Sequence, residues 1–136
     1  MAGLRLTWTE KLTFVATDEQ GHSFVIDAKP ESGGSGAGFR PVDLLMISLA
    51  GCMAMDIVSI LEKMHSDLRW LRAEVGGDRA EDHPKRLTHV RVRYRANKEV
   101  KPEDLRRAFE LSRDKYCSVL GTLRNTPQVD FDVATE

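Results

Sequence analysis

The sequence predicts an α+β fold with the element order β-β-β-α-β-β-α-β. Three observations carry this: short alternating segments at the start, one long proline-led apolar helix, and an alternating hairpin followed by a second proline-led helix. The chain has 136 residues, which fits a single domain, 1–136, on the usual scale of about 100–200 residues per domain.

In the first thirty residues, Leu4–Trp8 and Lys11–Thr17 alternate in polarity and Ser23–Ala28 is β-branched and apolar. Asp18-Glu19-Gln20-Gly21 is the turn between the second and third strands. The stretch Glu31–Arg40 reads as a flexible connector by its glycine content. It is not a phosphate loop: it has no Gly-Lys-Ser/Thr, and Gly34, Gly36 and Gly38 have the wrong spacing for a dinucleotide fingerprint.

Pro41 suits the first position of a helix, and Asp43 falls in the first turn, near the positive end of the helix dipole. The pattern carries that helix to about Ser66, about 26 residues or roughly 39 Å. From Leu44 to Met55 it is apolar almost all round, so it requires burial on every side. A small domain can hardly wrap such a helix, and a second subunit is expected to help cover it. From Asp56 onward the pattern turns amphipathic.

A hairpin follows. Leu71, Ala73 and Val75 point one way, and after a loop over Gly76–Arg86 the residues Val90, Val92, Tyr94 and Ala96 alternate with Arg91, Arg93 and Arg95. The arginines read as a solvated sheet face with cross-strand partners such as Glu74. Pro102, Glu103 and Asp104 open the second helix, with Leu105, Phe109, Ser112 and Tyr116 near helical spacing on one face and Cys117 close to its end. Thr126–Val133 reads as a closing strand.

Twenty Lys+Arg against 21 Asp+Glu give a net charge of −1, without the basic excess of a general nucleic-acid binder. Nothing in MAGLRLTWTE reads as a targeting segment. The uncharged apolar run Leu44–Met55 falls short of the roughly 17–25 residues that cross a bilayer. The expectation is therefore a cytoplasmic protein that binds neither nucleic acid nor membrane. Two cysteines are too few for a disulfide-built secreted scaffold, and enough for one redox pair.

A thiol reacts as its thiolate, so a catalytic cysteine needs a cation or amide dipoles nearby. Cys52 sits mid-helix between Ala50-Gly51 and Ala54, small residues that leave space around the sulfur or merely permit close helix packing. Spacing alone leaves both readings open. Asp56 lies one turn after Cys52 on the same face. A carboxylate there opposes thiolate formation unless an arginine balances it. The histidines at 22, 65, 83 and 89 form no short ligand pair with either cysteine, so neither metal nor cofactor is expected.

The stretch Arg40-Pro-Val-Asp-Leu-Leu-Met-Ile-Ser-Leu-Ala-Gly-Cys52-Met-Ala-Met-Asp56 resembles the central helix of the OsmC/Ohr family of osmotically inducible and organic hydroperoxide resistance proteins. Glu110-Leu-Ser-Arg-Asp-Lys-Tyr-Cys117-Ser-Val is similar to the family's second cysteine segment. The resemblance implies an intertwined homodimer with two long helices crossing at its centre. It also implies a thiol peroxidase in which Cys52 meets the peroxide, Cys117 resolves the sulfenic acid as a disulfide, and a dithiol, lipoyl-type in the well-known branch, restores both. Ohr-type members carry an arginine in an early hairpin turn, where this chain has Gly21-His22-Ser23, and a glutamate at the position of Val42. The implied substitutes are Arg40 as the thiolate-stabilising cation, with Asp43 or Asp56 orienting it. Phe39, Met46, Met53 and Met55 would suit an alkyl or fatty-acyl hydroperoxide. The competing expectation is a non-catalytic dimer that binds an apolar small molecule and keeps both thiols inert.

Overall fold

The computed structural model describes residues 3–136; Met1 and Ala2, part of the stretch read above as free of targeting features, lie outside the described residues. The elements are β1 (Arg5–Glu10), β2 (Thr13–Thr17), β3 (Ser23–Ile26), α1 (Pro41–Lys63), β4 (Leu71–Arg79), β5 (Leu87–Ala96), α2 (Pro102–Leu111), a π-helical turn (Ser112–Tyr116) and α3 (Ser118–Arg124). Two compact units result: residues up to Ile47 with Arg79–Thr88, and Ser48–Asp78 with His89–Glu136.

In the first unit β1, β2 and β3 form an antiparallel meander, with Thr7 opposite Val15 and Val15 opposite Val25. The second strand starts at Thr13 rather than Lys11, because Lys11 takes a left-handed φ of 48° to turn the chain. The indole N–H of Trp8 closes that turn by donating to the Lys11 carbonyl at 2.8 Å. Asp18 builds the second turn as expected, its Oδ1 accepting from the backbone N–H groups of Gln20 and His22, each at 2.9 Å.

The glycine-rich stretch is a fixed loop, not a flexible connector. Its organiser is Asp27, only 2% exposed. The Asp27 carboxylate accepts from the N–H groups of Ala28 (2.7 Å), Ala37 (3.1 Å) and Ser35 (3.3 Å) and from the Thr13 hydroxyl (2.9 Å). Gly34 is required there, since a Cβ would collide with the Ala28 carbonyl and the Asp27 carboxylate. Phe39 then pairs with the sheet through Asp27 N–H to its carbonyl at 3.0 Å.

Helix α1 stops at Lys63, earlier than the pattern suggested. His65 adopts a φ of 55°, and the N–H groups of His65 and Ser66 cap the Glu62 and Leu61 carbonyls, both at 3.0 Å. Within one chain α1 is not buried all round. Leu49, Ala50, Met53, Ile57 and Leu61 are buried, whereas Met55 is 75% exposed and Leu45, Ile47 and Val58 also face outward. Measured over the whole helix rather than its uncharged run, α1 is long and apolar enough to cross a membrane by length and composition, with 28% of its most apolar window buried. Its buried stripe nevertheless packs as a core helix does.

The second unit holds that core. Ile57 and Leu61 meet Val100 and Ala108, with Leu71, Tyr94, Leu105 and Phe109 around them. Strand β4 runs through Arg79, further into the expected loop than the sequence suggested, and Ala80 N–H to the Arg86 carbonyl at 2.9 Å closes the hairpin. On β5, Val90, Val92, Tyr94 and Ala96 turn inward and Arg91, Arg93 and Arg95 outward. Arg91 pairs across the hairpin with Asp78 at 3.0 Å, in place of the expected Glu74. Arg91 therefore has a cross-strand carboxylate partner, as expected of a solvated sheet face.

Two expectations fail at the C-terminal end. Helix α2 gives way after Leu111 to a π turn, closed by Cys117 N–H to the Ser112 carbonyl at 2.9 Å. The extra residue in that turn breaks the helical face, and Tyr116 is 53% exposed instead of continuing it. Thr126–Val133 is irregular, and a further helix, α3, precedes it. An alternating segment becomes a strand only where a sheet edge accepts its N–H and C=O groups, and no described edge of this chain does so. Val129, Phe131 and Val133 consequently remain exposed.

Burial acts to raise the Asp27 pKa, but the N–H groups of Ala28 and Ala37, the Thr13 hydroxyl and Ser35 N–H outweigh it and hold the carboxyl below its ordinary range. A depressed carboxyl stabilises the fold above its unfolded pKa and loses that contribution as pH falls through the folded value. Asp27→Asn should therefore lower the Tm at pH 7, with the difference from the parent shrinking below about pH 4; thermal melts across pH 2–8 check this.

Candidate active site

Three elements of the second unit converge on one sulfur. Cys52 comes from the middle of α1, Cys117 from the extended residue between the π turn and α3, and Ser118 from the first position of α3. The Cys117 sulfur serves as the N-cap of α3, accepting from Leu120 N–H at 3.3 Å. The Ser118 hydroxyl lies 3.7 Å from the Cys52 sulfur. Cys52 is partly accessible and Cys117 is buried.

The surroundings separate the two thiols. The Val119 N–H holds the Cys52 thiol below its ordinary pKa; burial opposes this, and the Ser118 hydroxyl, the Cys117 thiol and Ser118 N–H add to the lowering. Cys117 moves the other way. Burial pushes it up, the Leu120 N–H works against that, and the hydrogen bond and charge of Cys52 raise it further. The surroundings thus favour charge on Cys52 and a proton on Cys117. Both cysteines are free, and Cys52 packs against the buried cluster that holds Cys117.

Behind the pair, Leu49 and Met53 of α1 are buried with Cys117, backed by Val90, Val92 and Phe109. The Tyr94 hydroxyl donates to the Ala50 carbonyl at 2.7 Å, fixing β5 to the turn of α1 that carries Cys52. Burial, reinforced by negative charge on Cys117, Cys52 and Asp56, pushes the Tyr94 phenol up to about 12. It therefore stays a donor throughout the neutral range. Asp56, one turn after Cys52, accepts from the fully buried Ser112 hydroxyl at 2.7 Å. That bond anchors the π turn just before Cys117.

The other expected site residues fall elsewhere. Arg40 and Asp43 belong to the first unit, where they form a two-pronged pair, Nε to Oδ2 at 2.6 Å and Nη2 to Oδ1 at 2.9 Å. Asp43 is the carboxylate paired with Arg40, and Asp56 bonds to Ser112 in the second unit. With Phe39 and Lys29 the pair borders an open cavity of about 440 Å³. Met46 is half-buried in the first unit, Met53 is packed into the core behind the thiols, and Met55 faces outward. Met53 lines packing rather than an open pocket.

Sequence reasoning missed Ser118, Tyr94 and Ser112 as parts of the site. The signal for Ser118 was its place beside Cys117. That place gained meaning only once Cys117 became the start of a helix rather than the end of one. Among the described residues no cluster of His, Cys, Asp and Glu could hold a metal ion.

This is an α+β protein with a paired, unequal dithiol beneath the start of a short helix. It belongs to the OsmC-like family, whose model matches residues 33–132. The chain is similar to protein YhfA of Escherichia coli K12, with 32% identity over 116 residues, covering 85% of this chain and 84% of the relative. A protein of Psychrobacter arcticus 273-4, named for osmotic stress induction and a detoxification response, superposes with a TM-score of 0.79 at 27% identity, covering 90% of this chain and 88% of that one. The organic hydroperoxide resistance protein OsmC of Legionella pneumophila shares the fold, with a TM-score of 0.67 at 12% identity over 90% of this chain and 88% of that one.

At pH 7 Cys52, its pKa lowered, should react with iodoacetamide faster than Cys117, whose pKa is raised. Peptide mass spectrometry of the partly alkylated native protein reads both rates. The gap should narrow as the pH rises and Cys117 ionises.

Proposed function

We propose that the protein is a thiol-dependent peroxidase that reduces organic hydroperoxides, alkyl or fatty-acyl, in oxidative-stress defence. The observation that carries this is a free Cys52, its sulfur 3.7 Å from the Ser118 hydroxyl, packed against the buried cluster that holds a free Cys117, with surroundings that lower the pKa of the first and raise that of the second. Inert, merely buried cysteines need neither the contact nor the asymmetry. The family, and the name of the Legionella relative, support the substrate class.

The chemistry balances as follows. The Cys52 thiolate attacks the outer oxygen of R–O–O–H; an S–O bond forms, the O–O bond breaks, and the alkoxide takes a proton to leave as the alcohol. Cys52 is then a sulfenic acid. The Cys117 sulfur displaces its hydroxyl, giving the Cys52–Cys117 disulfide and water. A dithiol of lipoyl type supplies two electrons and two protons to restore both thiols.

A homodimer in the cytoplasm is part of this reading. The outward face of α1, with Met55, Leu45 and Val58, and the unpaired Val129, Phe131 and Val133 together give a second copy apolar surface to cover. That coverage also makes α1 a core helix rather than a membrane span.

Reduced protein should consume cumene hydroperoxide with dihydrolipoamide as reductant. Cys52→Ser should cut the rate by at least about a hundredfold, as removal of a sole nucleophile does. Cys117→Ser should leave a sulfenic acid on Cys52 that dimedone captures. An unchanged rate in Cys52→Ser sinks the mechanism. Separately, Met55→Glu should shift sedimentation from dimer towards monomer, by placing a charge in the covered face.

A further inference from the structure

Resting on the peroxidase reading, we infer that Ser118 is a catalytic residue: its hydroxyl donates a hydrogen bond to the Cys52 sulfur and holds it as the attacking thiolate. The geometry is direct. Ser118 Oγ lies 3.7 Å from Cys52 Sγ, within hydrogen-bond reach for sulfur. A thiolate can only accept, so when Cys52 is ionised the serine is the donor.

The position of the hydroxyl is fixed by the residues on either side. Cys117 caps α3 through its sulfur, and the Ser118 carbonyl accepts from the Thr122 hydroxyl at 2.8 Å, so the first turn of α3 is tied at both ends. Cys52 is held from below by the Tyr94 bond to the Ala50 carbonyl. Neither side of the contact depends on a loop. Ser118 is itself exposed and Cys52 is partly accessible, so both partners of the contact can be reached by solvent.

The Asp56 carboxylate, one turn from Cys52, is held by the Ser112 hydroxyl at 2.7 Å. The hydrogen bonds to Cys52 inside the second unit come from Val119, Ser118 and Cys117. Of these, Ser118 contributes the only side chain that the reaction does not consume. Cys117 leaves the set as soon as it attacks the sulfenic acid, whereas Ser118 is still in place when the disulfide is reduced and the thiolate reforms.

The test is the pH profile of Cys52 alkylation, read on the Cys52 peptide in the full-length reduced protein, for the parent, Ser118→Ala and Ser118→Thr. Ser118→Ala should slow Cys52 alkylation at pH 7 by about three- to tenfold, the size expected for one hydrogen bond to a partly exposed charged group. The rate above pH 10 should stay unchanged, and Ser118→Thr should restore the parent profile. Circular dichroism verifies that each variant is folded. If Ser118→Ala leaves the profile where it was, the serine role is wrong, whatever the peroxidase rate. If the profile moves but no variant, parent included, consumes hydroperoxide, the serine–thiolate bond stands and the peroxidase reading fails.

Discussion

The packing of Cys52 against the buried cluster that holds Cys117 is the constraint on which the rest of the second unit depends. Two cysteines from distant parts of the chain meet there only if α1, the π turn and α3 all hold their positions. The Tyr94 bond to Ala50 fixes the first, the Ser112 bond to Asp56 the second, and the Cys117 sulfur cap on Leu120 N–H the third. Each is a polar contact at the edge of the apolar core that Ile57, Leu61 and Ala108 build. The core supplies bulk stability, while these bonds set the register between the thiols.

Asymmetry at the pair follows from where the amides point. Backbone N–H groups of Ser118 and Val119 reach Cys52, so its charge is partly solvated by the protein. Cys117 has the Leu120 N–H but is buried, and a second negative charge beside the first is costly. The surroundings therefore favour charge on Cys52 and a proton on Cys117.

Much of the fold was legible because its signals are local. Alternation located four strands and β-branched apolar content the third, Pro41 and Pro102 marked two helix starts, and Asp18 marked its turn. The errors came from positions where the backbone departs from the pattern of its side chains. A left-handed His65 ended α1 early, and a left-handed Lys11 delayed β2. The π turn over Ser112–Tyr116 has no compositional signature, so Tyr116 was placed on a face it does not share. Val129, Phe131 and Val133 alternate as a strand does, yet pairing depends on an edge that this chain does not present. At the site, Cys52 and Cys117 were legible as a pair through family resemblance. Ser118 was not, since its position depends on α3, a helix that the sequence pattern does not predict.

The central claim is that Cys52 and Cys117 are one redox couple. Mixing the fully reduced protein with one equivalent of cumene hydroperoxide, without any reductant, and mapping the products by mass spectrometry tests it most directly. The account predicts a single peptide pair joined between Cys52 and Cys117, formed in step with cumyl alcohol. Both thiols remaining free, or Cys52 oxidised while Cys117 never joins it, would contradict it.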